Sequence, residues 1–150
     1  MKIALGADHR GYDAKSRIVA LLQEMGQQPK DFGTDSSKSM DYPDPAYAAA
    51  NAVQCGECEM GILFCGTGIG MSITANKLHG IRAALCHDEL TAEMARRHNN
   101  ANVLCLPADL IGDALMRRIV EVWLKTQFEG GRHEKRIDKI REIENKQCKG

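Results

Sequence analysis

The sequence predicts an α/β fold, a three-layer α/β/α sandwich around a Rossmann-like five-stranded parallel sheet. Three observations lead there. Short apolar runs of strand length alternate with longer segments of helical period, which produces parallel strands joined by crossover helices. The runs are apolar at consecutive positions, as in strands covered on both faces. The length of 150 residues suits one domain with one core.

Ile3-Ala4-Leu5 is the first strand. Ile18, Val19, Leu21, Leu22 and Met25 form the stripe of a helix, and Gly26 stops it. A weak second strand covers Gln28 to Phe32. Tyr42-Pro43-Asp44-Pro45 breaks the chain, and an alanine-rich helix follows to about Val53. Gly61-Ile62-Leu63-Phe64-Cys65 is the third strand. A glycine loop and a helix through Ala75 come next. Arg82-Ala83-Ala84-Leu85-Cys86 is the fourth strand, and Glu89 to Arg97 reads as a helix. Val103-Leu104-Cys105-Leu106 is the fifth strand. A helix from Ile111 to Phe128 carries Leu115, Ile119, Val122 and Trp123 on one face. Gly130-Gly131 interrupts, and a charged helix from about 133 carries Ile137, Ile140 and Ile143. No repeat or linker divides the chain, so residues 1–150 read as a single domain.

Composition excludes several function classes. Lys+Arg and Asp+Glu are both 20, for a net charge of zero. That removes the electrostatic basis for binding nucleic acid or a membrane surface. No apolar run has the length of a membrane span. Met1 to Gly6 lack the apolar stretch of a signal peptide, so the expectation is a cytoplasmic protein. Its six cysteines then read as reduced thiols rather than a disulfide framework. A domain of this size buries roughly 70% of its unfolded surface and needs neither disulfide nor metal to fold.

Parallel sheets bind ligands outside the carboxyl ends of their strands. The residues there are Asp8-His9, Gly66 to Gly70, His87-Asp88, and Pro107 to Asp109. The strongest signal is Cys65-Gly66-Thr67-Gly68-Ile69-Gly70. Three alternating glycines let a ligand approach the backbone, and the helix that begins there suits an anion. Three familiar anion loops fit poorly. A Walker loop needs Lys where Thr67 stands. A cysteine phosphatase loop wants Arg where Met71 stands. In a dinucleotide loop the third glycine would come one residue later. Asp88 stands about 20 residues on, where a ribose-binding acid would sit, so nicotinamide binding stays an alternative.

Cys65 ends a strand just before a helix N-terminus, where the field favours a thiolate. Such a group serves as nucleophile or as proton-abstracting base; the plain alternative is a core cysteine. Asp8-His9 can bind hydroxyls or a phosphate, or Asp8 can simply cap the next helix. His98-Asn99 ends a helix, where a histidine is often only a dipole partner. Arg132 and Arg136 share a helical face and suit either a phosphate clamp or a solvated face paired with Glu134 and Asp138. Cys55-Gly56-Glu57-Cys58 has no second Cys or His pair to complete a zinc site.

Together the motifs resemble the type B ribose-5-phosphate isomerase family, which includes galactose- and allose-6-phosphate isomerases. The marks are Gly6-Ala7-Asp8-His9 with Gly11; Asp41-Tyr42-Pro43; the Cys65–Gly70 loop with Ala75-Asn76-Lys77; Gly80-Ile81-Arg82-Ala83; Arg97-His98-Asn99 with Ala101-Asn102-Val103-Leu104; and Gly130-Gly131-Arg132-His133 with Arg136. The resemblance spans nearly the whole chain.

It implies an enzyme of carbohydrate metabolism, in the pentose phosphate pathway, that uses no metal and no cofactor. It implies a homodimer or homotetramer with active sites shared between subunits. The substrate class it implies is a sugar phosphate, ribose 5-phosphate first and a six-carbon aldose 6-phosphate second. A non-catalytic sugar-phosphate sensor is the other reading, and the presence of both Cys65 and His98 argues against it.

By the same resemblance, Cys65 moves a proton between C2 and C1. Thr67 and the amides of Gly66, Gly68, Ile69 and Gly70 stabilise the enediolate. His98 opens the furanose ring. Asp8, His9 and Asn99 bind substrate, and Arg132 and Arg136 hold the phosphate. A subgroup without the cysteine has glutamate where this chain has Met71. Asp109 departs from the family, many of whose members carry a phosphate-binding arginine there.

Overall fold

The computed structural model describes residues 1–147; residues 148–150, Cys148 among them, lie outside the described residues. The elements are β1 (Lys2–Ala7), α1 (Tyr12–Glu24), β2 (Gln28–Asp31), α2 (Pro43–Gln54), β3 (Met60–Cys65), α3 (Ile69–Ala75), β4 (Ala83–Leu85), α4 (Glu89–Arg97), β5 (Val103–Pro107), α5 (Asp113–Lys125) and α6 (Arg132–Gln147). The strands form one sheet in the order β2-β1-β3-β5-β4. Every neighbouring pair is parallel.

Strand pleat decides which helices cover which face. Side chains alternate between faces with period 2. Leu5 pairs with Ile62, and Leu63 pairs with Cys105. On one face Ile3, Leu5, Ile62, Phe64, Leu104 and Leu106 pack against α1, α4 and α5, with Trp123 fully buried among them. On the other, Ala4, Leu63, Cys65, Val103 and Cys105 pack against α2 and α3. The alanines of α2 let that helix lie close to the sheet, where Gly6 has no room for a side chain against the Pro45 carbonyl. Each large apolar side chain buried in this way contributes roughly 1.5–3 kcal/mol.

All five expected strands and six helices form, with shifted ends. The fourth strand shrinks to three residues because it is an edge strand. Arg82 stays outside it: its carbonyl still accepts the Val103 N–H, but its own N–H donates to the Asn102 side-chain oxygen at 2.8 Å. The helix expected from Ile111 to Phe128 is shorter at both ends. Gly112 enters it extended, and Thr126 leaves it extended, with its hydroxyl donating back to the Val122 carbonyl at 2.6 Å.

Two features prepare the site. The chain leaves β1 to one side and returns in β3 on the other, which opens a crevice at the carboxyl ends of these strands. Behind it the buried Lys15 donates to Asp31 at 2.5 and 2.6 Å and to the Thr34 carbonyl at 2.5 Å. That pins α1 to the loop after β2, which also pairs with Ala7 through Gly33 and Thr34.

Candidate active site

The crevice holds a cavity of about 450 Å³ lined by residues from four segments. Asp8 leaves β1 buried. Its Oδ1 accepts from the N–H groups of Arg10 and Gly11 at 3.0 and 3.1 Å, so it shapes the turn into α1. The helix cap itself is Gly11. Cys65 ends β3 with only 5% exposure, and its Sγ accepts the Gly68 N–H at 3.1 Å. The exposed Thr67 accepts the Ile69 N–H at 3.3 Å on its hydroxyl. Gly66, Thr67, Ile69 and Gly70 line the cavity, with Tyr42 lying against Gly70.

Gly68 plays a different part from its neighbours. It does not line the cavity; its N–H engages the sulfur. Its φ is +75°, and a Cβ there would lie 2.5 Å from Leu85 Cδ1. Gly68→Ala therefore strains the backbone and displaces the donor at once. The expected result is a kcat loss of about a hundredfold, the scale of removing one preorganised donor, with the fold retained. Steady-state kinetics and circular dichroism together check it.

His9 stands beside this cavity, its Nδ1 accepting the Met40 N–H at 3.2 Å. In the neutral ring that leaves the proton on Nε2, free to donate.

The remaining expected residues gather elsewhere. His98 caps the C-terminus of α4, which Asn100 ends with φ +45°. Arg96 and Arg82 grip Asn100 and fix this corner. The His98 ring stacks on His133 of α6 with centroids 4.2 Å apart and 9° between planes. Arg132 and Arg136 flank the buried His133 on the same helix, both exposed, and Asn99 is exposed next to His98. This group lies at the amino end of the sheet, ahead of β5, while Cys65 lies at the carboxyl end beside Pro107. A strand the length of β5 spans about 13 Å. One chain therefore presents two half-sites: Asp8, Cys65 and Thr67 at one edge, and His98, Asn99, Arg132 and Arg136 at the other.

Glu129 lies at the edge of the stack, 4.0 Å from His98 Nε2 and 3.9 Å from His133 Nε2. The hydrogen bond from Arg97 holds its carboxyl below the usual range. These three carry the donor types of a metal site, but the rings lie flat on each other as a packed pair. Burial first, and then the neighbouring His98, hold His133 below its ordinary pKa.

The unfolded chain therefore binds that proton more readily than the folded one. The stabilising contribution is full above the unfolded value of about 6.5. It is lost as pH falls from there through the folded value. Thermal melts from about pH 7.5 down to 5.5 are expected to show a falling Tm, a slope that His133→Phe, which stacks without titrating, flattens.

The other thiols behave as core. Burial pushes Cys86 up to about 11, Cys105 well above the usual thiol value, and Cys58 upward too. The five cysteines among the described residues are unpaired. Asp88, the candidate ribose acid, is the N-cap of α4, accepting the Thr91 N–H at 2.7 Å; that use accounts for it without a nucleotide. A larger cavity of about 750 Å³ lies between α6 and the β4 edge. Of the candidate site residues only Asn99 is among its described lining. Among the described residues no helix is long and apolar enough to cross a membrane.

Three residues at the two half-sites had no role assigned from sequence. Tyr42 and Arg10 line the cavity, and His133 supports His98. The proline break after Tyr42 and the adjacency of Arg10 to Asp8-His9 were available signals. The stack of His98 on His133 joins residues 35 positions apart and had none.

Residues 3–140 match the ribose/galactose isomerase family. The chain is 48% identical over 145 residues to ribose-5-phosphate isomerase B of Escherichia coli K12, covering 97% of each. Its structure superposes with TM-score 0.96 on ribose-5-phosphate isomerase B of Clostridium thermocellum, at 50% identity, covering 97% of this chain and 99% of that one. With the Mycoplasma genitalium ribose-5-phosphate isomerase B bearing bound ribulose-5-phosphate, the TM-score is 0.92 at 42% identity over 96% of each chain. The match runs through both half-sites, from the Asp8 turn to Arg136, and on that extent the chain belongs to the ribose/galactose isomerase family.

Proposed function

We propose that the chain acts as one sugar-phosphate isomerase domain and interconverts ribose 5-phosphate and ribulose 5-phosphate. The observation that carries this reading is the Cys65 thiol at the crevice, with the Gly68 N–H directed at its sulfur. Proton abstraction beside a carbonyl needs a base of this kind and donors for the oxyanion that develops.

In this reading Cys65 takes the C2 proton of the open-chain aldose. Electrons move into an enediolate whose oxygens meet Thr67 and the loop amides of Gly66, Ile69 and Gly70. Cys65, whose captured proton can exchange with solvent, then protonates C1, and the O2 hydroxyl proton passes to O1 to give the ketose. His98 opens the furanose by accepting a hydroxyl proton and donating one to the ring oxygen. Asp8, His9 and Asn99 bind hydroxyls. Arg132 and Arg136 hold the phosphate, and that remote binding energy orients the reacting carbons.

Two copies build each site. The half-sites lie at opposite ends of the sheet, so a second copy supplies His98, Asn99, Arg132 and Arg136 to the first copy's Cys65. A two-fold arrangement completes both sites at once. Ile69 and Ile73, 52% and 57% exposed, lie beside the cavity on α3 and offer an apolar contact for that copy.

The test is turnover by purified protein of ribose 5-phosphate, allose 6-phosphate and galactose 6-phosphate, with and without EDTA. The expected result is highest kcat/KM on the ribose phosphate, unaffected by EDTA. Preference for a six-carbon substrate would reassign the sugar. No turnover of any would overturn the isomerase reading.

A further inference from the structure

Asp109 stands where the family resemblance leads one to expect a phosphate-binding arginine, yet a guanidinium is present in that space. Arg10 Nε donates to Asp109 Oδ2 at 2.5 Å. Both residues line the cavity that holds Cys65.

The pair is seated on the catalytic loop. A Cβ on Gly66 would lie 2.6 Å from Asp109 Oδ2 and 2.9 Å from Arg10 Nε, so a side chain there would displace the pair. Both ends are tied to the machinery by backbone. The Asp109 N–H donates to the Gly66 carbonyl at 3.0 Å, and the Ala108 N–H to the Cys65 carbonyl at 2.9 Å. The Arg10 N–H donates to Asp8 Oδ1 at 3.0 Å.

Stability does not account for the arrangement. The two side chains are 60% and 38% exposed, and an exposed ion pair contributes little. Charge does. Asp8 and Asp109 bring two carboxylates to this cavity, and among the described residues Arg10 is the one Lys or Arg that lines it. A phosphorylated sugar would otherwise meet only negative charge from this chain. Nε alone is engaged by Asp109, and among the described residues the terminal nitrogens of Arg10 donate no hydrogen bond to protein. A guanidinium fixed at one edge presents its other edge to an anion with little rotamer entropy left to lose.

We infer that Arg10, oriented by Asp109, is a specificity-determining phosphate contact, placed on the β1–α1 turn instead of on the loop after β5. This rests on the sugar-phosphate reading above. It adds a cation from the copy that carries Cys65 to the two that a second copy brings. Asp109 is then the positioning residue, and its charge is neutralised by the group it orients.

Kinetics of Arg10→Ala, Asp109→Ala and the double variant with ribose 5-phosphate, and with inorganic phosphate as competitive inhibitor, test it. Arg10→Ala is expected to raise KM and the phosphate Ki by about tenfold or more, the scale of a charge-assisted contact. Its kcat stays within about threefold. The double variant is expected to lie between Arg10→Ala and wild type, because it also removes the carboxylate left unpaired. A KM and Ki within about twofold of wild type for Arg10→Ala would overturn the inference while wild-type turnover upholds the isomerase reading. So would a fall in kcat with Ki unchanged, which marks a structural role through Gly66. An inactive wild type would overturn both.

Discussion

Cys65→Ala is expected to lower kcat by about a thousandfold, within the range for losing a positioned general base. KM is expected to stay within about threefold, because in the proposed reading binding rests on the arginines that hold the phosphate and not on the thiol. The side chain is small, and Ala matches the neighbours Leu63, Met71 and Ala75 that pack on this face of the sheet, so the fold should hold. The decisive measurement is exchange of the C2 hydrogen of ribose 5-phosphate with D2O, followed by NMR. Loss of exchange with binding retained identifies Cys65 as the base. Exchange that persists in Cys65→Ala removes it from that role, whatever happens to net turnover.

The second large effect comes from mixing inactive proteins. Cys65→Ala lacks the base, and His98→Asn lacks the ring-opening group. Each pure protein is expected to be nearly inactive on the furanose. Unfolding and refolding an equimolar mixture gives half mixed dimers, and each of these has one intact site out of two. Recovery of about a quarter of wild-type activity is therefore expected for a two-fold dimer. The number follows from the placement of the half-sites. Cys65 pairs in register with Pro107 at one end of the sheet, whereas His98 caps α4 before β5 begins at the other. No recovery, with mixed dimers demonstrated by mass spectrometry, would mean that both groups serve a single chain. Mixing is also the sharper assay of His98, because a histidine that merely caps a helix would give no complementation.

Much of the fold was legible residue by residue. Ile3, Leu5, Ile62, Phe64, Leu104 and Leu106 read as strand cores because burial on both faces removes polar residues from a strand. Gly26 read as a stop because the left-handed turn after a helix favours glycine, and its φ is +74°. The glycine loop was legible for a similar reason, since each alternate glycine answers a close approach. Ends were less legible. Whether Arg82 joins β4 depends on where its backbone N–H finds an acceptor, and that acceptor is the side-chain oxygen of Asn102.

By itself the sequence determined the sheet, its helices and the carboxyl-edge loop, because periodicity and backbone geometry are local properties of a chain. Tertiary structure alone decided the strand order, the stack of His98 on His133, the division of the site into two edges and the pairing of Arg10 with Asp109. Those depend on contacts between residues far apart in sequence, where distance in space is set by how elements pack. Asp109 shows the difference most plainly. In the sequence it is a carboxylate where a cation was expected; in the fold it is the residue that holds a cation from another loop against the same glycine.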